Sequence, residues 1–568
     1  MRTKLWVVVI PRPAPRLTSG GRRVLVFPAA ILAAIALVAT GSFGQAGRPA
    51  SGPELPRSCV DTSLVPPVGR TIAVAAGGDF QAALKAAQPG DVITLEAGAK
   101  FTGNFTLPNK PGAGWIVVRT AAPDGGLPAP GTRVTPASAA AFPKLISANG
   151  RPVLTAAPGA HHYRFIGLEF TVAPDVAGYD LISLGNRPAS AADVPHHLIF
   201  DRVYVHGTPT ANLRRGIAMN SAWTAVVDSH IGDVHEIGAD SQAIGGWDGP
   251  GPFRIINNYL EGAGENVMFG GADPSIVDLV PSDIEIRRNH FFKPLTWRIG
   301  DASYAGRAWV VKNLLELKNA RRVLIDGNLF EHNWAHAQGG TAIVFTVRNQ
   351  DDGAPWSAVE DVTVTNNIVR RTGAGIGMHG MDSKPSQPTK RVLIKNNLFE
   401  DVSGARWGGG GRLFQIYNGV TDLVIDHNTA FQDGPIIMAE GRPHSGFVYR
   451  NNLAPHNDYG IQGTGSAPGK GTLDAYFPGA VVEKNVIVAN PYAAHYPANN
   501  FHPPSLGAVG FVDHARGDYR LTKSSPYKLA GSDGNDIGVD LAALTAAMTA
   551  TPQPGTQRDP CNLARGAR

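Results

Sequence analysis

The chain repeats one short pattern many times, and this repetition constrains its fold more than any other feature. In the copy VLIDGNLFE, at residues 323–331, apolar and polar residues alternate up to an asparagine at the sixth position. Three upstream segments fit the same frame with Gly167, Arg202 and Ser229 instead. The copies that carry asparagine place it at Asn258, Asn289, Asn328, Asn367, Asn397, Asn428, Asn452 and Asn485. The eleven copies follow one another at intervals of 24 to 39 residues.

Intervals of this size indicate a stacked array in which each unit buries its apolar face against its neighbours. The alternation has the period of a β-strand and not that of a helix. A second short alternating segment precedes most copies, as in LLELKN, AIVFTVRN, GIGMHG and LFQIYN. Each unit is therefore predicted to be a coil of short strands. About eleven such coils, with strands about 4.8 Å apart, would stack into a parallel β-helix.

The asparagines are predicted to lie at a corner where the chain turns between two strands. Asparagine tolerates the left-handed backbone conformation that a sharp corner requires. When coils stack in register, the side-chain amide of one asparagine can bond to the next, and such a ladder satisfies buried polar groups. Asparagines in one frame therefore favour a ladder over a set of ordinary loop residues.

Both ends of such a stack need caps, because an open coil exposes unpaired strand edges. The segment GGDFQAALKAAQPGDVITLEAG, from residue 77, predicts a short helix that is capped by Asp79 and has Phe80 and Leu84 on one face. Pro89 and Gly90 end this helix before the strand at residues 92–95. The segment GDYRLTKSSPYKLAGSDGNDIG, from residue 517, is polar and turn-rich and is predicted to close the other end.

The opening GDFQAALKAAQPGDVITLEAG, the asparagine ladder and the tail DYRLTKSSP together resemble the right-handed parallel β-helix superfamily of pectate lyases and related polysaccharide-processing proteins. The resemblance covers residues 71–540. It implies an all-β, right-handed, single-stranded parallel β-helix with a short N-terminal capping helix. It also implies a polysaccharide substrate or ligand, although a fold alone does not fix a reaction.

The first 50 residues carry the excess of positive charge. The chain has 51 Lys and Arg against 46 Asp and Glu, and seven of those bases but no acid fall within residues 1–50. The remaining 44 bases face 46 acids, so the body lacks the basic surface that a nucleic-acid partner requires. Arg22 and Arg23 precede an apolar run at residues 24–39 and then small residues, which is the pattern of a secretory signal. The run is shorter than the roughly 20 residues of a spanning helix, but an uncleaved anchor stays open.

These features divide the chain into five segments. They are a signal peptide or N-terminal anchor at 1–45, a Pro-rich linker at 46–70, an N-terminal cap at 71–110, the parallel β-helix at 111–515 and a C-terminal capping tail at 516–568. We expect an exported monomer that is secreted, periplasmic or at the cell surface, and that meets a membrane only through an uncleaved leader. Export permits a disulfide between Cys59 and Cys561. These cysteines lie beyond opposite ends of the repeat, so they can pair only if the linker or the tail runs back along the helix.

The strands that precede the asparagine strands are the expected site of function, because proteins of the resembled superfamily carry their cleft on this sheet. Alternation points Lys318, Arg348 and His379 outward on three successive coils, about 5 Å apart along the axis. These three are the candidate catalytic residues. The candidate substrate-binding residues, which are outward on the same strands or aromatic in adjacent long inserts, are Glu316, Trp334, Trp356, Gln415 and Tyr417.

These residue types suit β-elimination on an acidic, uronate-containing polysaccharide. Arg348 would neutralise the sugar carboxylate, because a guanidinium grips a carboxylate through two parallel hydrogen bonds. Lys318 or His379 would remove the neighbouring proton, since burial and nearby cations lower the pKa of such bases.

Two alternatives stay open at this point. A glycoside hydrolase would pair Glu316 with Asp351 or Asp352. A non-catalytic carbohydrate-binding or cell-surface protein would leave the outward side chains merely solvated. Many pectate lyases use calcium, but the strands show no cluster of acids that could supply six to eight oxygen ligands, so we expect no cofactor or metal.

Overall fold

The computed structural model describes residues 52–549. The leader expected at residues 1–45 and Cys561 lie outside these described residues. Within them, no helix is both long enough and apolar enough to span a membrane.

Three long parallel sheets form the body of the protein, and the chain visits them in the order sheet 1, sheet 2, sheet 3 in each turn. The 14 strands of sheet 1 are Thr71–Val74, Val92–Leu95, Ile116–Thr120, His161–Ile166, His196–Asp201, Ala222–Val227, Phe253–Ile256, Ser282–Arg287, Ala320–Asp326, Val359–Thr365, Lys390–Lys395, Thr421–Asp426, Val448–Arg450 and Val481–Glu483. The 13 strands of sheet 2 are Lys100–Thr102, Lys144–Ser147, Glu169–Val172, Tyr204–His206, His230–Val234, Tyr259–Gly262, His290–Phe292, Leu329–Asn333, Ile368–Thr372, Leu398–Val402, Thr429–Gln432, Leu453–Pro455 and Val486–Val488. The 12 strands of sheet 3 are Phe105–Leu107, Leu154–Ala156, Gly178–Ser183, Leu213–Ala218, Gln242–Gly246, Glu265–Phe269, Leu315–Leu317, Thr341–Thr346, Ala374–His379, Phe414–Tyr417, Ile437–Glu440 and Ile461–Gly463.

Every strand of these sheets pairs in parallel with the equivalent strand one coil away, so the predicted right-handed parallel β-helix is confirmed. The eleven repeat copies correspond to the sheet 1 strands from His161–Ile166 onward. Sheet 1 also begins with Thr71–Val74, Val92–Leu95 and Ile116–Thr120, which lack the repeat pattern. Eleven coils therefore undercount the stack.

The predicted asparagine ladder is confirmed at the corner between sheets 1 and 2. The backbone N–H of each asparagine, from Asn258 to Asn452, donates to the side-chain oxygen of the next at 2.9 to 3.0 Å. The ladder also runs beyond the predicted series, from Ser229 at one end to Asn500 at the other. Each ladder asparagine from Asn258 to Asn485 is buried, so these bonds replace water for groups that would otherwise be unsatisfied.

The left-handed conformation at this corner belongs to the residue before each ladder asparagine, which corrects the expectation from sequence. Asn366, for example, has φ 56°, whereas its neighbour Asn367 makes the ladder bonds. Gly167 and Arg202, which the sequence frame aligned with the ladder asparagines, instead occupy the left-handed position, with φ 65° and 52°. The tight turn and the ladder thus fall on adjacent residues.

Apolar side chains fill the space between the three sheets. Equivalent residues of successive coils stack there, as Phe165 does on Phe200 at 4.9 Å and Phe291 on Phe330 at 4.4 Å between ring centres. Such stacking follows from the register, because each inward position repeats at the strand spacing.

Short helices lie at the ends and in the loops. The α-helices are Phe80–Ala86, Gly404–Trp407, Lys470–Tyr476 and Leu541–Thr549, and the 3-10 turns are Asp124–Gly126, Pro136–Ala141, Ala191–Asp193, Leu295–Trp297, Ala493–His495, Leu506–Val509 and His514–Arg516. The first helix begins after Asp79, whose side chain accepts from the N–H of Ala82 at 2.9 Å, and Phe80 and Leu84 are buried. An antiparallel pair, Phe511–Asp513 with Asp518–Leu521, lies in the C-terminal segment.

Both terminal segments run back along the helix. The linker contacts successively earlier coils as it runs towards residue 70. The N–H of Glu54 donates to Asp361 at 3.1 Å, and the N–H of Arg57 donates to Asp283 at 2.8 Å. Further along, the N–H of Gly69 donates to the carbonyl of Gly90. In the tail, the N–H of Asp540 donates to the side chain of Asn396. Pairing of Cys59 with Cys561 itself stays a prediction, because Cys561 lies outside residues 52–549.

Candidate functional site

The outer face of sheet 3 carries the candidate catalytic residues in defined rows. Strand register places Thr346 beside His379 and His379 beside Tyr417. Towards the N-terminus, the same register places Lys318 next in this row and Trp247 two coils beyond Lys318. Lys318 and His379 therefore share one row, two coils apart, which is about 10 Å.

A first cavity of about 640 Å³ lies over the N-terminal part of this row. Its wall includes Lys318, Tyr179, Arg214, Arg215, Asn220, Gln242 and Trp247. Arg215 donates to Asp180 at 3.2 Å and to Gln242 at 3.0 Å, and its guanidinium lies 4.8 Å from the centre of the Trp247 ring. Arg214 is fixed by two hydrogen bonds to Glu236, at 2.7 and 2.9 Å. The two guanidinium groups are therefore held in fixed positions.

Tyr179 is the titratable group that these arginines modify most directly. Its hydroxyl accepts a hydrogen bond from Arg214 at 3.1 Å, and the Arg214 guanidinium lies 4.6 Å from the ring centre. Although partial burial opposes ionisation, hydrogen bonds from Arg215 and Arg214 lower the pKa of Tyr179. The side chain is 55% exposed, so the hydroxyl can meet a ligand in the cavity.

A group of ion pairs lies at the wall of the first cavity and beneath it, where Glu265 and Glu316 are buried. The Lys312 ammonium is 3.0 Å from Glu265 and 2.7 Å from Asp240, and the Lys318 ammonium is 3.6 Å from Glu316. Burial, and next the Glu316 carboxylate, raise the pKa of Glu265. A calcium site needs several carboxylate and carbonyl oxygens around one point. These carboxylates already face lysine ammonium groups, so they do not fit a calcium ion.

A second cavity of about 480 Å³ lies next to the first, over the following strands of sheet 3. Its wall includes Gln338, Thr341, Thr346, His379, Arg412, Gln415 and Tyr417. The Tyr417 hydroxyl donates to Gln415 at 3.0 Å. Arg412 forms no ion pair with any residue in the described range 52–549. The second cavity therefore offers a guanidinium that has no ion pair within residues 52–549, beside Gln415 and Tyr417.

His379 contributes a neutral imidazole to this cavity. Burial lowers the pKa of His379, and the nearby Arg348 lowers it further, against opposing contributions from Met381 and Asp382. Nε2 of the ring lies 3.1 Å from the side-chain nitrogen of Asn418. The Nε2 edge of the imidazole is therefore next to Asn418, while the side chain lines the cavity wall.

Arg348 lies past the end of its strand and lines neither cavity. Its guanidinium donates to Asp382 at 2.7 Å, and the same carboxylate accepts from the N–H of Asn349 at 2.9 Å. Thr346, not Arg348, occupies the row between Lys318 and His379. The alternation predicted that the Arg348 guanidinium points outward and binds the carboxylate of a substrate. In the structure this guanidinium is instead bonded to Asp382.

The aromatic candidates separate into two groups. Trp334 is only 4% exposed and packs in a cluster with Trp297, Trp309 and Trp407, so the structure contradicts a sugar-stacking role for it. Trp356 is half-buried, donates from its indole to the carbonyl of Leu279 and lines neither cavity. The aromatic side chains on the cavity walls are Tyr179, Trp247 and Tyr417.

The acids considered for hydrolysis do not meet in a cavity. Glu316 is 3% exposed and lies beneath the face, beside Lys318. Asp351 and Asp352 are in an exposed loop, which Asp273 holds through the N–H groups of Asp351 and Gly353. Neither carboxylate group lines the two cavities described above.

Comparison with solved structures finds alginate lyases, a pectate lyase and tailspike proteins. AlyGC, an alginate lyase of the PL6 family, is 14% identical over 86% of this chain and 60% of its own length, with a TM-score of 0.42. A mannuronic acid-specific family 6 polysaccharide lyase from the human gut microbiota is 11% identical over 77% and 92%, with a TM-score of 0.42. Pectate lyase Pel9A is 14% identical over 83% and 96%, with a TM-score of 0.28. This chain thus spans 60% of the length of AlyGC.

No protein-family model matches the sequence, and no curated protein matches it significantly.

Proposed function

We propose that the protein binds an acidic, uronate-containing polysaccharide along the outer face of sheet 3 and cleaves it by β-elimination. One observation carries the proposal: two adjacent cavities on this face each combine an arginine with a tyrosine. The first holds Arg215 and Tyr179 beside Lys318, and the second holds Arg412 and Tyr417. A polymer with one carboxylate on each sugar suits a face with repeated cationic and aromatic groups.

The first cavity supplies the groups that elimination needs. Lys318 or Arg215 neutralises the uronate carboxylate, which acidifies the proton on the adjacent carbon. Tyr179, once ionised, takes that proton, and hydrogen bonds from Arg215 and Arg214 assist its ionisation by lowering its pKa. The electrons of the broken C–H bond form the new double bond, and the glycosidic oxygen leaves and takes up a proton. In the neighbouring cavity Arg412 and Tyr417 bind the polymer beside His379, whereas Arg348 stays paired with Asp382.

Elimination has a direct readout, since each cut leaves an unsaturated, ultraviolet-absorbing chain end. We expect such absorbance with at least one of polymannuronate, polyguluronate, pectate and the glycosaminoglycans. Tyr179→Phe should lower the rate about 10²- to 10⁴-fold, the usual contribution of a general base. Tyr459→Phe, at an exposed tyrosine outside both cavities, is the matched control.

The result that contradicts catalysis is saturable binding of a uronate polymer without any unsaturated product. That outcome would favour a non-catalytic carbohydrate-binding protein on the same face. Absence of both binding and product would remove the polysaccharide proposal altogether. Such polymers are extracellular, which agrees with the export expected from residues 1–45.

A further inference from the structure

Two histidine pairs, which the proposed function does not use, begin successive strands of sheet 1. His161 and His162 open the strand His161–Ile166, and His196 and His197 open the strand His196–Asp201. The register pairs His196 with His161, so the two pairs lie one directly above the other. We call these four residues the histidine quartet.

The ring nitrogens of the quartet converge. In each pair the two Nδ1 atoms are 2.7 Å apart, between rings that are nearly perpendicular, at 84° and 80°. Between coils the rings are parallel: His161 lies 4.7 Å from His196, and His162 lies 4.4 Å from His197. One ligand nitrogen from each of His161, His162 and His196 falls within 4.8 Å of the others.

The backbone holds both rings of a pair on one side. Consecutive residues of an ideal strand point to opposite faces. His162 and His197 instead adopt left-handed conformations, with φ 59° and 54°, at the corner where the chain enters sheet 1. The quartet is therefore anchored on two hydrogen-bonded strands, and such rigid elements position a site better than loops do.

The surroundings leave the quartet open to an ion. All four side chains are partly exposed, and Trp115 and Trp223 flank them, the latter stacked 5.4 Å from His197. Two facing Nδ1 atoms can share only one proton, whereas a metal ion accepts both lone pairs. Nitrogen ligands bind zinc at about 2.0–2.1 Å, so a bound ion would draw the imidazole nitrogens towards a common centre.

We propose that His161, His162 and His196, with His197 beside them, form a binding site for one divalent transition-metal ion of the zinc, nickel or copper class. A site made of imidazoles selects these ions over calcium and magnesium, which prefer oxygen ligands. A bound ion would tie two coils together near the N-terminal end of the helix. This proposal is independent of the proposed polysaccharide chemistry.

The test uses the full chain without a histidine tag, stripped with a chelator and dialysed. We expect titration calorimetry with Ni²⁺, Zn²⁺ and Cu²⁺ to give one site per chain, and bound Cu²⁺ to show the spectrum of nitrogen ligation. Saturating metal should also raise the melting temperature, because the ion binds only the folded chain. His161→Ala and His196→Ala should each weaken binding at least about tenfold, since each removes a ligand.

The control is His514→Ala, which removes a histidine far along the chain and should leave metal affinity unchanged. His161→Gln, which retains a polar side chain of similar reach, guards against misfolding of the alanine variants, and circular dichroism checks each fold. Absence of binding to the unmodified chain would overturn the proposal. Equal affinity in the unmodified chain and both alanine variants would overturn it as well, and would leave the quartet as a stacked ladder only.

Discussion

At the scale of single residues, His235 shows how the packing around the tryptophan cluster constrains a titratable group. Its ring is fully buried and stacks on Trp309 with 3.7 Å between ring centres, and it meets the edge of Trp297. Burial lowers the pKa of His235 to about 4 from an ordinary 6.5. The folded protein therefore excludes a proton that the unfolded chain accepts.

A definite pH dependence of stability is expected from this group. Between pH 6.5 and about 4 the unfolded chain binds the proton and the folded chain does not, so stability is lost as the pH falls through this window. The loss should amount to about 2–3 kcal/mol. His235→Phe retains the stacking and should remove this part of the acid sensitivity, as measured by urea unfolding at several pH values.

His514→Phe, at an exposed histidine, is the matched control and should leave the pH profile unchanged. Equal acid sensitivity in His235→Phe and the unmodified protein would show that other groups dominate.

The two arginines near the second cavity provide a prediction about the site itself. Arg348 is committed to Asp382, whereas Arg412 faces the cavity without an ion pair in the range 52–549. Arg412→Gln should therefore weaken binding of a uronate oligosaccharide about tenfold or more, the usual effect of losing a charge-assisted hydrogen bond. Calorimetric titration measures the change.

Arg348→Gln serves as the comparison, and it should change oligosaccharide affinity much less. A larger loss with Arg348→Gln than with Arg412→Gln would restore Arg348 to the carboxylate-binding role that the sequence favoured.

Alternation in the sequence located the functional face but not its chemistry. The pattern placed Lys318, His379, Gln415 and Tyr417 on the outer face of sheet 3, because strand period and register are local properties. It could not show that Asp382 neutralises Arg348, since that partner lies 34 residues away in a loop. Trp247 could have been found by extending the row of Lys318 two coils upstream, whereas nothing local indicated that Arg214 and Arg215 would surround Tyr179.

At the scale of elements, the ladder asparagines and the left-handed residues before them have separate roles. Asn367 is fully buried and bonds to Asn328, to Asn397 and to the carbonyl of Ile325. Asn367→Ala should lower the free energy of unfolding by about 3 kcal/mol or more, because it leaves several buried groups unsatisfied. Chemical denaturation measures this loss.

The neighbouring substitution Asn366→Gly is the matched control. Glycine adopts the left-handed conformation that Asn366 shows at φ 56°, so the loss should stay near 1 kcal/mol. Equal losses at the two positions would contradict a separation of turn and ladder.

A second ladder, made of charges, lies at the corner where the chain enters sheet 1. Asp283, Arg322, Asp361 and Arg391 all have left-handed backbones in successive coils, with φ between 51° and 60°. Arg322 binds Asp283 through two hydrogen bonds, at 2.7 and 2.9 Å, and Arg391 binds Asp361 through two of 2.6 Å. Opposite charges thus occupy positions that the stack forces into contact.

The Asp361–Arg391 pair is suited to a double-mutant cycle. Asp361→Asn, Arg391→Gln and the double variant should give a coupling energy of about 1 kcal/mol, which falls as salt screens the pair. The pair is only partly exposed, so the coupling should exceed that of the surface pair Lys470–Asp474, the control cycle. A coupling no larger than in the control would mean that the corner charges are merely tolerated.

At the scale of the whole molecule, the terminal segments act as straps along the stack. Val60 is buried against Ala225 and Ile256, so the linker next to Cys59 lies on the middle coils. The tail helix Leu541–Thr549 reaches Gly327, whose backbone closely approaches Ala547. Periodicity indicated the stack, but it could not indicate these returns, because they depend on contacts hundreds of residues apart.

The linker beside Cys59 and the tail helix Leu541–Thr549 lie on nearby coils, which supports the predicted disulfide between Cys59 and Cys561. The strand Phe253–Ile256, near the linker, and the strand Ala320–Asp326, near the tail, are two coils apart, or about 10 Å along the axis. The 12 residues from 550 to 561 can extend about 40 Å. We therefore expect the protein purified under oxidising conditions to contain this bond, detected as a cross-linked peptide by mass spectrometry.

Because the bond closes nearly the whole chain into a loop, it should stabilise the fold by about 4 kcal/mol or more. Reductant should lower the melting temperature of the unmodified protein to that of Cys59→Ser and leave the variant unchanged, whereas alkylation of both thiols without prior reduction would rule the bond out.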